Sequence, residues 1–112
     1  MNQSEDRIQQ DCCVWFRNTH LDKRGLLFSV PNGGYRNARE AKKMKDTGLF
    51  AGVSDLLLMY AGKTYCIEMK TPTGSQSKSQ IYWEGLVKRE GFSYYVCRSL
   101  EEFKVVVNGI IK

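Results

Sequence analysis

The sequence predicts an α/β fold in which helices flank a mixed sheet of four strands. Two observations carry this prediction: segments of helical and of strand periodicity alternate along the chain, and an apolar hairpin stands near its middle. The order of elements is helix, strand, helix, two strands, helix, strand, helix, which is typical of a sheet covered by helices. The 112 residues are expected to form a single domain, 1–112, with a modest core.

The N-terminal half is predicted to supply two helices and one strand. The first helix covers residues 3–18, and a short strand covers residues 26–30 before the turn signal of residues 31–34. A basic helix follows over residues 37–47, with Gly48 as its expected C-cap. The buried stripe of the first helix consists of Ile8, Cys12, Trp15 and Phe16.

The C-terminal half is predicted to alternate between helices and strands. A helix over residues 77–90 ends at Gly91, and a strand over residues 92–98 follows it. Ser99-Leu100-Glu101-Glu102 has the pattern of a capping box and opens the last helix. The apolar residues 105–107, 110 and 111 at the end of the chain fit either core burial or a dimer surface.

The central hairpin carries the candidate chemistry. Its apolar runs, Leu56–Tyr60 and residues 64–67, are separated by the turn signal of residues 61–63. A two-residue loop at residues 62–63 pairs Leu58 with Ile67, Leu57 with Glu68 and Asp55 with Lys70. Because side chains alternate between faces, Asp55, Glu68 and Lys70 then share one face. Asp55 and Glu68 become diagonal neighbours, about 7 Å apart at Cα.

Two interpretations of these charges compete. A cross-strand pair of Asp and Lys is usually a surface ion pair of little energetic value. The strand that follows Asp55 is almost wholly apolar, however, which indicates a central and buried strand. Because buried charges are costly unless they have partners, grouped ones tend to hold a metal ion or a substrate. We therefore favour a metal site.

Composition restricts the classes of partner. Seventeen Lys and Arg against twelve Asp and Glu give a net charge of +5, which suits a polyanionic partner. The N-terminus is polar and the apolar runs are short, so neither a secretory signal nor a membrane span is expected. The cysteines lack zinc-site spacing and are expected to be reduced, in a cytoplasmic protein. They are Cys12, Cys13, Cys66 and Cys97.

Four segments together resemble the VRR-NUC family, the virus-type replication-repair nucleases of the PD-(D/E)XK superfamily. They are Pro31-Asn32-Gly33-Gly34 with Arg36, Gly48 with Ala51-Gly52-Val53-Ser54-Asp55, Glu68-Met69-Lys70, and Gln80 with Trp83. A lone Glu-x-Lys is a weak signal, but the combination in the family's order is specific. Ser54 stands where the family usually has proline, which affects local rigidity more than chemistry. The resemblance implies a restriction-endonuclease-like core.

The resemblance also implies a metal-dependent DNA endonuclease. Asp55, Glu68, Lys70 and Gln80 are the implied catalytic residues, and Mg²⁺ or Mn²⁺ is the implied cofactor. Asp55 and Glu68 offer the hard oxygen ligands that these ions prefer, and the backbone carbonyl of Met69 is a further implied ligand. Lys70 is expected to orient a water molecule and to offset negative charge. For Gln80, an ordinary solvent-facing glutamine is the alternative.

Glu5 has two interpretations of about equal weight. It falls on the buried stripe of the first helix, and the resemblance suggests an additional metal-site carboxylate there. Alternatively, Asn2 is the N-cap and Glu5 is the helix-start glutamate at the third helical position.

The cationic residues predict how DNA is held. A charge run is usually a solvated face, but beside a candidate metal site in a cationic protein it favours a track for the DNA backbone. Its candidate residues are Asn32, Gly33, Arg36, Arg39, Lys42, Lys43, Lys45 and Lys78. Stand-alone members of the family look phage-derived and resemble Holliday-junction resolvases, which implies a homodimer that cuts branched DNA. The alternatives are a nuclease-fold module that binds DNA without cleaving it, and a small phage interaction protein.

Overall fold

A mixed sheet with the strand order β1-β2-β3-β4 organises the structure. The computed structural model describes residues 3–31 and 37–112, so the predicted turn at Asn32-Gly33-Gly34 and the predicted DNA contact Arg36 lie outside the described residues. The strands are β1 (Leu27–Ser29), β2 (Leu56–Tyr60), β3 (Lys63–Met69) and β4 (Ser93–Cys97). The pairs β1–β2 and β2–β3 are antiparallel, whereas β3 and β4 are parallel.

Four α-helices flank this sheet within the described residues. They are α1 (Glu5–Thr19), α2 (Ala38–Asp46), α3 (Lys78–Arg89) and α4 (Leu100–Ile110), and a short 3₁₀ helix (Leu21–Lys23) follows α1. The predicted α/β fold class is therefore confirmed, and each predicted helix or flanking strand lies within two residues of its observed bounds. None of the helices in the described part of the chain is long and apolar enough to cross a membrane.

The core lies between one face of the sheet and the helices α1 and α4. Strand side chains that alternate toward this face are buried, and they meet the apolar stripes of the two helices. The buried core residues are Ile8, Cys12, Phe16, Leu27, Leu56, Leu58, Ile67, Met69, Cys97, Phe103 and Val107. Trp15 is half-buried and packs against this core, and Val105 is 73% exposed. All four cysteines, each within the described residues, are free.

The predicted hairpin register is wrong by two residues. The chain turns at Ala61 and Gly62, so that Tyr60 pairs with Lys63 and Leu56 pairs with Ile67. Both turn residues have positive φ, +52° and +78°, as the favoured two-residue hairpin turn requires. Continuing this register by one residue sets Asp55 opposite Glu68 rather than opposite Lys70. Because the error is an even number of residues, Asp55, Glu68 and Lys70 still share one face.

Two predicted helix caps also differ from the structure. Helix α1 begins at Glu5 with Ser4 as its N-cap, because the Ser4 hydroxyl accepts the backbone N–H of Arg7, so the prediction of Asn2 as N-cap is wrong. At α4 only half of the predicted capping box forms. Ser99 accepts the N–H of Glu102, but the Glu102 carboxylate accepts the N–H of Arg98.

The predicted end of α2 is displaced by one residue. Thr47 is the C-cap, and Gly48 follows it with a φ of +117°. The left-handed residue after a C-cap is commonly glycine, because glycine carries no Cβ to clash there.

Candidate active site

Asp55 is held at the point where strands β1 and β3 flank the start of β2. Its backbone carbonyl accepts the N–H of Val30 at 3.0 Å, and its side-chain Oδ2 accepts the N–H of Met69 at 2.6 Å. Backbone and side chain are thus fixed to opposite neighbours. Directly opposed residues in antiparallel strands have Cβ atoms about 5 Å apart, so this placement brings the carboxylates of Asp55 and Glu68 together.

Glu68 is a fully buried carboxylate on β3. Its Oε1 accepts a hydrogen bond from the hydroxyl of Tyr94. Its Oε2 is buried and has no hydrogen-bond partner among the described residues. An ionised oxygen left in this state is costly, so Oε2 is positioned to receive a cation or a donor from outside the chain.

Lys70 follows Glu68 on the same face and is only 7% exposed. Its backbone N–H donates to the carbonyl of Cys97, and its Nζ lies 4.0 Å from Oε2 of Glu5. The side chain of Glu5 is 44% exposed, so this contact lies at the rim of the site. Glu5 therefore lies beside Lys70 at the start of α1, on the side of the helix that the sequence predicted.

The turn after Lys70 is tied to the end of β4. Nη1 of Arg98 donates to the carbonyls of Thr71 and Gly74, at 2.8 and 2.7 Å. A Cβ on Gly74 would lie 3.7 Å from Cδ of Lys70, so the turn packs along the lysine stem. Arg98 thereby fixes the loop that covers Lys70.

Burial dominates the electrostatics of the two carboxyl groups. Burial raises the pKa of Asp55, and the N–H of Met69 and the charge of Lys70 lower it only in part. Burial likewise raises the pKa of Glu68. The Tyr94 hydroxyl, the nearby Gln76 amide and the charge of Lys70 lower it only in part. The charge of Asp55 raises the pKa of Glu68 further, and the charges of Glu5 and Asp6 raise the pKa of Asp55, which is the situation that a bound cation relieves.

Gly52 fixes the loop that leads into Asp55 against the start of α3. Its φ is +91°, and a Cβ there would lie 2.2 Å from the carbonyl oxygen of Ser79 and 2.9 Å from the backbone nitrogen of Gln80. Only glycine meets both requirements. Ser54 is fully buried, and its hydroxyl donates to the carbonyl of Leu56 at 3.1 Å. A side-chain hydrogen bond therefore stands where the family usually has a proline ring.

Gln80 lies at this contact but serves α3 as a cap. Its Oε1 accepts the N–H of Ser77 at 2.7 Å, and its own N–H donates to the Ser77 hydroxyl, which completes a capping box. The side-chain carbonyl is therefore engaged within the helix, and this capping box leaves the amide Nε2 unused. The side chain of Gln80 is thus not simply solvent-facing, and its implied catalytic role stays a prediction.

The donor set fits a small divalent cation. No group of three or more His, Cys, Asp and Glu side chains able to hold a metal occurs within residues 3–31 and 37–112, so Glu5 is not gathered with Asp55 and Glu68. Mg²⁺, however, is commonly held by one or two carboxylates together with waters and phosphate oxygens. The N–H of Met69 points to Asp55, and its carbonyl points to the same side of the strand. The carboxylate of Asp55, the unpartnered Oε2 of Glu68 and this carbonyl thus make a suitable partial shell.

The predicted DNA-contacting residues are mostly exposed. Arg39, Lys42, Lys43, Lys45 and Lys78 face solvent, and α2 buries none of its side chains. Nζ of Lys42 lies 2.6 Å from the carboxylate of Asp46, so part of its charge is already neutralised. Asn32, Gly33 and Arg36 lie outside the described residues.

Sequence reasoning missed Tyr94, although this residue touches Glu68 directly. Tyr94 lies two residues into a predicted strand, and a buried phenol needs a hydrogen-bond partner. That requirement was the available signal. The partner itself depends on the parallel pairing of β3 with β4, which the sequence did not specify.

Comparisons with known proteins agree with this architecture. The family model of the VRR-NUC domain matches residues 3–101. A solved structure described as a VRR_NUC domain protein superposes with a TM-score of 0.81 at 22% sequence identity, over 99% of this chain and 90% of that one. At this identity the likeness establishes the fold alone. Among curated proteins there is no significant match.

Proposed function

The chain belongs to the VRR-NUC family, and on this premise we propose that it is a Mg²⁺- or Mn²⁺-dependent deoxyribonuclease that acts as a single domain. The observation that carries the proposal is Glu68, a fully buried carboxylate with one unpartnered oxygen, between Asp55 and Lys70 on one face of the sheet. A merely structural carboxylate in that position would leave the cost of its burial unrelieved.

Each residue of the site has a proposed part in phosphodiester hydrolysis. Asp55, Glu68 and the Met69 carbonyl would hold the cation. The bound ion supplies Lewis acidity toward the phosphate and lowers the pKa of a coordinated water. Lys70, almost buried and close to the carboxylates, contributes positive charge where the pentacovalent phosphate gains negative charge, and orients the attacking water.

Glu5 supports Lys70 in this proposal. Its carboxylate lies 4.0 Å from Nζ of Lys70, at the rim of the site, and is partly exposed. This contact places a negative charge beside the lysine ammonium and restricts the movement of the lysine side chain. The role of Glu5 as a metal ligand remains a prediction, as does the role of Gln80, whose amide nitrogen has no partner among the described residues and is the group available to a substrate.

The proposed DNA surface is the exposed side of α2 with Lys78. Its lysines and arginine offer phosphate contacts, which position a duplex without reading its sequence. Symmetric cleavage of two strands requires two active sites, so we propose a homodimer with a preference for branched DNA such as a four-way junction.

The test is cleavage of matched linear, flap and four-way DNA at equal concentration, with and without Mg²⁺ or Mn²⁺. We expect metal-dependent products, more from the junction than from the linear duplex, and none from Asp55→Asn. Mass in solution should correspond to a dimer. If the protein binds DNA but does not cleave it with either metal, the proposal is wrong and the protein is a nuclease-fold module that binds DNA without cleaving it. A monomer that cuts all substrates equally would contradict the proposed dimer and its junction preference, but it would still support a metal-dependent nuclease.

A further inference from the structure

We propose that Tyr94 is a positioning residue of the metal site: its hydroxyl holds Oε1 of Glu68 and thereby presents Oε2 to the cation. The two oxygens of this buried carboxylate differ in the structure. Oε1 accepts the phenolic hydroxyl, and Oε2 has no partner among the described residues. This inference rests on the proposed function, because it assigns Tyr94 a role only where Glu68 binds a metal.

The parallel pairing of β3 and β4 creates the contact. Cys66 pairs with Tyr94, and Glu68 pairs with Val96, so Tyr94 and Glu68 lie on the same face, two residues apart along the strands. A tyrosine is long enough to span that offset. Tyr94 as a whole is 9% exposed, and the centroid of its ring lies 6.0 Å from that of Trp83 on α3, which restricts its movement.

Groups from α3 and the preceding loop surround the hydroxyl. Nε2 of Gln76 donates to Glu84 at 2.8 Å, and Glu84 is paired with Lys88 at 2.5 Å. The Gln76 amide also lies close enough to affect both Glu68 and Tyr94. The Tyr94 hydroxyl is the donor in its bond to Oε1 of Glu68, because an ionised carboxylate can only accept.

A fixed carboxylate has a measurable consequence for metal affinity. A carboxylate that rotates freely must lose that freedom when it binds a cation, whereas Glu68 is already oriented. Removal of the partners that orient metal ligands typically weakens metal binding 10- to 100-fold. Tyr94→Phe keeps the ring and its packing and removes only the hydroxyl.

The experiment measures Mn²⁺ affinity by electron paramagnetic resonance, without DNA, for the wild type, Tyr94→Phe, Glu68→Gln and the double variant. Tyr95→Phe is the matched control, because Tyr95 is the next residue on β4 and packs against the core on the other face. We expect Tyr94→Phe to weaken Mn²⁺ binding about tenfold and Tyr95→Phe to leave it unchanged. In the Glu68→Gln background, Tyr94→Phe should have no further effect.

Three outcomes decide the proposal. If Tyr94→Phe binds Mn²⁺ with wild-type affinity while Glu68→Gln loses Mn²⁺ binding, the role of Tyr94 is overturned and the proposed function stays intact. No Mn²⁺ binding by the wild type defeats both. Should Tyr94→Phe not fold, the hydroxyl proton of Tyr94 decides, observed by NMR in the wild type: it should persist when Mg²⁺ is added, and its loss on Mg²⁺ addition would overturn the proposal.

Discussion

The face that carries Asp55, Glu68 and Lys70 and the helix α2 are both charged, but they are built in opposite ways. At the first, Glu68 is fully buried, Lys70 is 7% exposed and Asp55 is hydrogen-bonded to its neighbouring strands. Helix α2 has no buried side chain, and its cations face solvent. The first region fixes the geometry of its charges before any ligand arrives, whereas the second supplies charge with little geometric constraint.

This difference separates two kinds of function. Buried charges interact strongly and are weakly screened by salt, so they suit chemistry on one phosphate. Exposed charges are screened within about 10 Å at 0.1 M salt, so they suit attraction of a polyanion along its length. The comparison predicts that substitutions in the first region change turnover or stability, and that those in α2 change salt-dependent binding.

Lys70 should give the largest effect. Lys70→Met retains much of the aliphatic stem but removes a charge next to the reacting phosphate, and cleavage should fall about 10²- to 10³-fold. Lys63→Met, at the exposed start of the same strand, is the control and should cleave normally. Single-turnover cleavage rates and DNA affinity should be measured together. Normal cleavage by Lys70→Met would exclude Lys70 from the mechanism.

Gly52 should give the next largest effect, on stability. Gly52→Ala meets the Ser79 carbonyl at 2.2 Å and forces a positive φ on alanine, so we expect a loss of about 2–3 kcal/mol in the free energy of unfolding. Gly25→Ala is a matched control, since its φ is +90° and nothing lies within 4 Å of the added Cβ. Urea unfolding of both variants isolates the contact with α3. Equal losses would show that backbone conformation alone requires Gly52.

Glu68 should show a smaller effect that depends on pH. Because burial raises its pKa, the folded protein binds this proton more tightly than the unfolded chain does. The stability that Glu68 contributes is therefore present at low pH and falls as the pH rises from the ordinary carboxyl range through the raised pKa. Without metal, Glu68→Gln should be more stable than the wild type at pH 8, by on the order of 1 kcal/mol, and the difference should close at pH 4.

The same variant tests the response to metal. Saturating Mg²⁺ should raise the Tm of the wild type, because it binds only the folded state, and should leave the Tm of Glu68→Gln almost unchanged. Glu101→Gln, on the exposed first turn of α4, controls for loss of a surface carboxylate. An equal Mg²⁺-dependent rise in Glu68→Gln would place the cation elsewhere.

Helix α2 should give the smallest effects, and only in DNA binding. Replacing Lys43 or Lys45 by alanine should weaken binding modestly and lower the slope of log affinity against log salt by about 1 each. Lys42→Ala should do less, because Asp46 already pairs with Lys42. The Tm should hardly change, since α2 buries no side chain. If all three variants show the same slope of log affinity against log salt as the wild type, α2 does not contact the DNA backbone.

The side chains that share a sheet face were predicted correctly from the sequence, whereas the residues that pair across the hairpin were not. Strand periodicity alone sets face parity, so Asp55, Glu68 and Lys70 were grouped despite a register error of two residues. The register depended on the turn, and alanine is an unusual residue at the positive φ that Ala61 adopts. A glycine as the first turn residue was the expected choice, which moved the predicted loop one residue along the chain.

Tertiary contacts set the remaining features of the site. The bond between Tyr94 and Glu68 joins residues 26 positions apart and requires the parallel register of β3 with β4. The close approach of Gly52 to Ser79 requires α3 to dock on the loop before β2. Neither contact has a local pattern, so composition and periodicity could identify the carboxylates but not the groups that hold them.

The hairpin turn offers a place to attach probes. Ala61 lies six residues from Asp55 along one strand, and Gly62 lies six residues from Glu68 along the other, which is about 20 Å at the usual rise of a strand. Both turn residues are exposed, and nothing lies within 4 Å of a Cβ added to Gly62. A fluorophore or spin label joined at this tip would therefore report on rotation and assembly of the domain while the end that carries Asp55 and Glu68 stays chemically unaltered.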